Sequence, residues 1–193
     1  MLILLLGLIL FLGTHSVRVV ADDWRSNQIA AYGEIPWKTA YSALSLVGLI
    51  IAIYGYGLTR VDAVWVWMPP NWTAHLMALV MIPAFILLFS AYGPANRIRN
   101  AVGHPMLLAV ALWALAHLMA NGRLGDLVFF GAFLAWASVT FVAARERDRR
   151  QAASPTPAQR WGNAWAIGGG LIGYIVFALF LHIPITGVPA YAS

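Results

Sequence analysis

Six apolar stretches, each long enough to cross or nearly cross a bilayer, constrain this chain more than any other feature. A hydrocarbon core about 30 Å thick needs roughly 20 helical residues at a rise of about 1.5 Å each. The stretches are Leu2–Val19, Thr39–Gly57, Thr73–Tyr92, Pro105–Ala120, Asp126–Ala143 and Trp165–Ile183. The fourth is the shortest, bounded by "VGHP" and "NGR". In lipid every backbone polar group must be satisfied within its own segment, so such runs are helices. The expected fold is therefore an all-α polytopic transmembrane bundle of about six helices, one domain over residues 1–193, with a linker at 145–162.

Composition agrees. Of 193 residues 61% are hydrophobic and 10% charged, against roughly 45–50% and 25% in soluble domains, and the mean hydropathy is +0.75. The net charge of +5 does not indicate nucleic acid, because the cations sit in short gaps between apolar runs rather than on one solvated face. They report topology instead. Alternate connections place Arg18, Arg25, Lys38, Arg97, Arg99, Arg145, Arg147, Arg149, Arg150 and Arg160 on one side and only Arg60 and Arg123 on the other. The positive-inside rule then puts both termini on the outer side. Trp65, Trp67 and Trp72 suit an aromatic belt at the outer interface. The first run has no cation ahead of it and no small-residue cleavage site before Arg18, so it reads as a retained helix.

Two connections carry character of their own. "VRVVADDWRSNQIAAYGEIPW" is too polar to span and is expected along the membrane surface as a short helix or loop. The run "RERDRRQAASPTPAQR" continues the fifth helix into water until Ser154, Pro155 and Pro157 break it. Asp126 is expected to cap the fifth helix, paired with Arg123. Gly168, Gly169, Gly170 and Gly173 let a neighbouring helix approach the sixth closely.

The absence of cysteine removes disulfides, thiolate metal sites, Cys nucleophiles and covalent haem attachment, leaving five histidines as the soft ligands. No Ser-His-Asp order, phosphate loop or H-E-x-x-H occurs, so hydrolase and ATPase readings lack parts. An intramembrane histidine is either functional or an interhelical hydrogen-bonding group. His15 and His104 fall toward the cytoplasmic side, and His75, His117 and His182 toward the outer side. His104 and His117 lie about 20 Å apart along one helix and cannot ligate one metal together. His75 and His117, on neighbouring spans at similar depth, could share an iron, as facing imidazoles do in bundles that hold haem.

The string "GHPMLLAVALWALAHLMANG" resembles the signature of the NnrU family, small polytopic proteins linked to denitrification and related to the plant 15-cis-zeta-carotene isomerase. "FLGTHS", "AHLMALVMIPAFILL", "GDLVFFGAF" and "RERDRR" extend the resemblance over nearly the whole chain. It implies a non-covalent b-type haem in the membrane. The ligands proposed for the isomerase correspond to His15 and His117, and its exchangeable cysteine to Ala114, so a cysteine ligand switch has no counterpart here. Gly103 stands where relatives often carry Arg, leaving Arg97 and Arg99 near His104 as propionate or substrate contacts at the cytoplasmic mouth. His117 is the first candidate ligand, with His75 and His15 as rivals for the opposite axial place.

Three functions follow as expectations. The first is a haem-binding protein doing redox or cis-trans isomerase chemistry on an apolar, isoprenoid- or quinone-like ligand, in the bacterial inner membrane and in contact with its lipid. The second is an S-adenosylmethionine-dependent membrane methyltransferase, with His104 and Glu146 as the matching residues. The third is a non-catalytic accessory protein for nitric oxide or nitrite reduction.

Overall fold

The computed structural model describes residues 1–152, 154, 156–188 and 190. Eight helices follow one another: α1 (Leu2–Val20), α2 (Asp22–Tyr32), α3 (Glu34–Leu58), α4 (Trp72–Tyr92), α5 (Arg97–Val102), α6 (Pro105–Ala120), α7 (Leu124–Arg150) and α8 (Gly162–Thr186). No strand occurs among the described residues. Five helices, α1, α3, α4, α7 and α8, are long and apolar enough to cross a membrane. At 16 residues α6 spans about 24 Å. All six expected spans are helices, so the all-α transmembrane bundle stands. The polar stretch after α1 is helical as well, and none of the residues in α2 is buried.

Side chains facing outward are apolar: Leu2 is 77% exposed, Ile9 67% and Phe180 66%. In water such a surface would drive aggregation, whereas in hydrocarbon it is the solvated face. Association within the bundle therefore rests on close packing rather than on apolar burial. The α1–α3 pair shows how. Gly7 lies against the backbone of Ala52, Gly48 against that of Phe11, and Gly55 against that of Leu4, with no room for a Cβ at any of the three. The α4–α8 pair uses the same device. Gly169 and Gly173 receive the ring of Phe89, and Gly170 meets Ile86, whereas Gly168 touches nothing within 4 Å. Three of the four glycines expected to admit a neighbour thus do so. Within α8, π-helical turns occur at Trp165–Gly169 and Phe177–Leu181.

Helix α7 runs to Arg150, carrying its charge run well past the apolar part as expected. A turn at Gln151 and Ala152 ends it, and Ser154 and Pro157 lie outside any helix; Pro155 lies outside the described residues. The expected cap at the start of α7 is not formed. Arg123 occupies the N-cap position without a side-chain cap bond, and its guanidinium lies 5.0 Å from the Trp65 ring. Asp126 instead sits within the first turn, 2% exposed, and accepts a hydrogen bond from the Tyr56 hydroxyl of α3. A buried carboxylate needs a donor, and the neighbouring span supplies one while Arg123 lies against the Trp65 ring.

Candidate functional site

The end of the bundle that carries most of the cations holds a cavity of about 620 Å³ between the last turn of α1, the starts of α3 and α6, and the middle of α7. His15 and His104 both line it, with Arg18, Arg25, Lys38, Arg99 and Arg147 as its cations and Tyr41 and Trp136 among its aromatic walls. Sequence reasoning had named the two histidines and Arg99 for function. The other cations were read only as topology signals.

Each lining histidine is held differently. His15 Nδ1 lies 2.8 Å from the carbonyl oxygen of Phe11, one turn back on α1. A carbonyl only accepts, so Nδ1 is the protonated nitrogen and Nε2 carries the lone pair. The ring is fixed further by Phe11, Tyr41 and Trp136, with centroids at 4.4, 5.2 and 6.0 Å. His104 is the N-cap residue of α6, placed there because Pro105 fixes the first helical position. Its Nε2 meets Asp148 of α7 at 2.9 Å, with both side chains about a third exposed. Sequence reasoning missed Asp148, which lay hidden in the charge run. Glu146, the other residue of the methyltransferase expectation, is engaged by Arg149 and Arg150.

The cations divide by what already engages them. The Arg99 guanidinium donates to the carbonyls of Ser90, Ala91 and Gly93, closing the C-terminal end of α4. Fully buried Asn96 completes that knot, accepting from the Ser90 hydroxyl and the Arg99 N–H and donating to the Ser90 and Pro94 carbonyls. Lys38 pairs with Glu34 at 2.9 Å and Arg25 with Asp22 at 3.7 Å, both on the surface. Arg18 and Arg147 have no ion-pair partner among the described residues. Arg97 is exposed, its N–H bonded to Asn163, and it is not part of the cavity wall. At Gly103, with φ of +79°, the position a side chain would take is filled by the guanidinium of Arg145.

His117 belongs to another layer. Its Nδ1 lies 2.8 Å from the Trp113 carbonyl, the same one-turn arrangement as at His15, and its ring stacks on Phe130 at 4.6 Å. His15 meets α7 at Trp136 and His117 meets it at Phe130, so the two levels differ by about 9 Å along that helix. Between them run the contacting rings of Phe11, Phe133 and Trp113. His75 is exposed on α4 and makes no hydrogen bond among the described residues. His182 approaches the carbonyl of Val188 and the hydroxyl of Thr186. Among the described residues no group of three or more His, Asp or Glu side chains is placed to hold a metal ion.

The sequence model of the NnrU protein family matches residues 3–190. The chain belongs to the NnrU family. The match takes in every helix that builds the cavity, so the basic end with its two histidines is part of the NnrU unit rather than an addition to it. No curated protein and no solved structure matches this NnrU chain.

Proposed function

We propose that this NnrU-family membrane protein binds a b-type haem non-covalently in the basic cavity, where His15 would hold its iron. The observation that carries this reading is the Nδ1 contact of His15 to the Phe11 carbonyl on the wall of a 620 Å³ cavity. Locking one ring nitrogen on a carbonyl sets the tautomer and orients the other for a metal, the usual outer-shell arrangement of a ligating histidine. The remaining walls suit the group. Arg25, Lys38 and Arg147 line the same space as two propionates would require, and Tyr41 and Trp136 add aromatic surface to its wall. When bound, haem supplies one-electron or Lewis-acid chemistry whose potential the axial ligand and burial set. The chain's own part is to orient His15, pair the propionates and keep the aromatic side of the cavity dry. The reaction we infer is redox or cis-trans isomerisation of an apolar ligand, in a denitrification or isoprenoid setting at the bacterial inner membrane.

The test is haem content. Protein expressed with ample haem supply and purified in detergent is expected to show a Soret band and close to one haem per chain by extraction, falling at least tenfold in His15→Ala. A wild-type protein without haem, or full retention in His15→Ala, overturns the reading. His117→Ala separates one-histidine from two-histidine ligation. An unchanged spectrum assigns the axial role to His15 alone, and loss of a low-spin signature adds His117, which would require the Phe11, Phe133 and Trp113 rings to repack.

A further inference from the structure

Two histidines line the basic cavity, and their partners differ in kind. His15 faces the Phe11 carbonyl, a neutral acceptor that fixes a tautomer. His104 faces the Asp148 carboxylate, Nε2 to Oδ2 at 2.9 Å, and a carboxylate both fixes the tautomer and stabilises an imidazolium. With the carboxylate accepting, Nε2 carries the hydrogen and Nδ1 the lone pair. That second nitrogen is unused. His104 is the N-cap residue of α6, yet its side chain makes no cap bond, and Nδ1 has no hydrogen-bond partner among the described residues. The two side chains are 27% and 35% exposed, so water at that end of the bundle reaches the pair. An ion pair so exposed adds little to stability. Its arrangement is that of an acid–base imidazole oriented by a carboxylate, with the other ring nitrogen left to exchange protons.

The charges around His104 set what its proton responds to. From α7 come Asp148, Arg147 and Arg145, whose guanidinium fills the space beside Gly103, and from α5 comes Arg99. Across the cavity stand His15 and Arg18 on α1, Arg25 on α2, and Glu34, Lys38 and Tyr41 on α3. Cations outnumber carboxylates there. A proton on His104 and a negative charge arriving in the cavity therefore favour one another. A cavity of about 620 Å³ is on the order of 10 Å across, and at that distance one unit charge changes a proton affinity on the order of tenfold at an effective dielectric constant of about 20.

We propose that His104 is the proton-exchanging residue of the basic cavity and Asp148 its positioning residue, so that an electron entering the bound haem draws a proton onto His104 Nδ1. The inference rests on the haem reading and narrows it. A one-electron reductant supplies the electron, water supplies the proton, and the only bond formed is N–H at Nδ1; reoxidation reverses both. Of the two chemistries open to the apolar ligand, this favours the one that moves protons, the reduction of a quinone-like ligand, over a cis-trans isomerisation, which takes up none.

The test is the pH dependence of haem reduction at equilibrium, read by absorption on the full chain in detergent, with dithionite as reductant and redox dyes as mediators. At a fixed potential the ferrous-to-ferric ratio should fall as the pH rises, because reduction favours the protonated His104. Between pH 5 and pH 9 the fall should be about tenfold greater in the wild type than in His104→Gln, which keeps only the share due to the propionates. Asp148→Asn should retain the fall but move it to lower pH, by the about threefold loss of proton affinity that a partly exposed carboxylate partner is worth. Without recourse to the haem, nitrogen-15 spectra of histidine-labelled protein, assigned by the signal lost in His104→Gln, should show neutral His104 with its hydrogen on Nε2 and protonation at Nδ1 within the same range. Equal pH profiles for the wild type and His104→Gln at unchanged haem content, or neutral His104 with its hydrogen on Nδ1, overturn this proposal and leave the haem reading standing. If His104→Gln loses its haem, Asp148→Asn decides, and an unmoved profile there overturns the proposal. A wild-type protein without haem overturns both.

Discussion

Replacing Gly48 by alanine tests the packing that holds α1, and through it His15, in place. A Cβ at Gly48 would lie 2.6 Å from the Phe11 nitrogen and 3.0 Å from the Leu10 carbonyl carbon. These are backbone atoms and cannot rotate away, so α1 and α3 must part locally by about 1 Å, in a bundle held by dispersion at close contact. Overpacking of this kind costs about 1–3 kcal/mol. The control is Gly13→Ala, with nothing within 4 Å of the new methyl. There the gain in helix propensity is about 0.5–1 kcal/mol in favour of the variant. The two substitutions add the same atom and gain the same helix propensity, so they should differ by the overpacking alone, about 1–3 kcal/mol. Unfolding by sodium dodecyl sulfate titration in mixed micelles, followed by circular dichroism, reads this as a shift of the midpoint down for Gly48→Ala and level or up for Gly13→Ala. Because the Phe11 carbonyl fixes His15, haem content should also fall in Gly48→Ala alone. Equal midpoints for the two variants would refute the argument that backbone contact, and not glycine content, sets the α1–α3 pair.

Three further outcomes are expected. Arg99→Gln removes a charged fork from three carbonyls at the end of α4 and should cost about 2–4 kcal/mol, with faster hydrogen exchange at residues 88–93. Arg99→Lys should not rescue it, since a point ammonium cannot reproduce the fork. Tyr56→Phe leaves the buried Asp126 carboxylate without its phenol donor and should destabilise by about 1–3 kcal/mol. Adding Asp126→Leu should restore most of that loss in the same titration, because an apolar pair leaves no group unsatisfied. The His104–Asp148 pair is partly exposed, so a double-mutant cycle with His104→Ala and Asp148→Asn should return a coupling of about 1 kcal/mol or less.

The histidines show where legibility in the sequence stopped. His15, His104 and His117 were visible as candidates because an imidazole in an apolar run has few bland explanations. Their depth was also legible, since rise per residue converts position into height, and the roughly 9 Å step between the His15 and His117 levels follows from the same arithmetic. What depth cannot give is rotation about the helix axis. That decides that His15 and His104 line one cavity while His75 points outward. Asp148 was one carboxylate in a charge run, Trp136 one aromatic among many, and Tyr56 the unseen partner of Asp126. Each acquired meaning only from a neighbour far along the chain.

By itself the sequence determined the six apolar helices, the helical character forced by lipid, the length of α7 and the concentration of cations at one end. All of these depend on residues near one another in the chain, where hydropathy and helical rise suffice. Tertiary structure alone decided which glycines press on a neighbour and which, like Gly13, leave space, and that Arg99 closes a helix end while Arg18 has no ion-pair partner among the described residues. Those outcomes depend on the azimuth of each helix and on which faces meet, set by close packing between segments that no local pattern records.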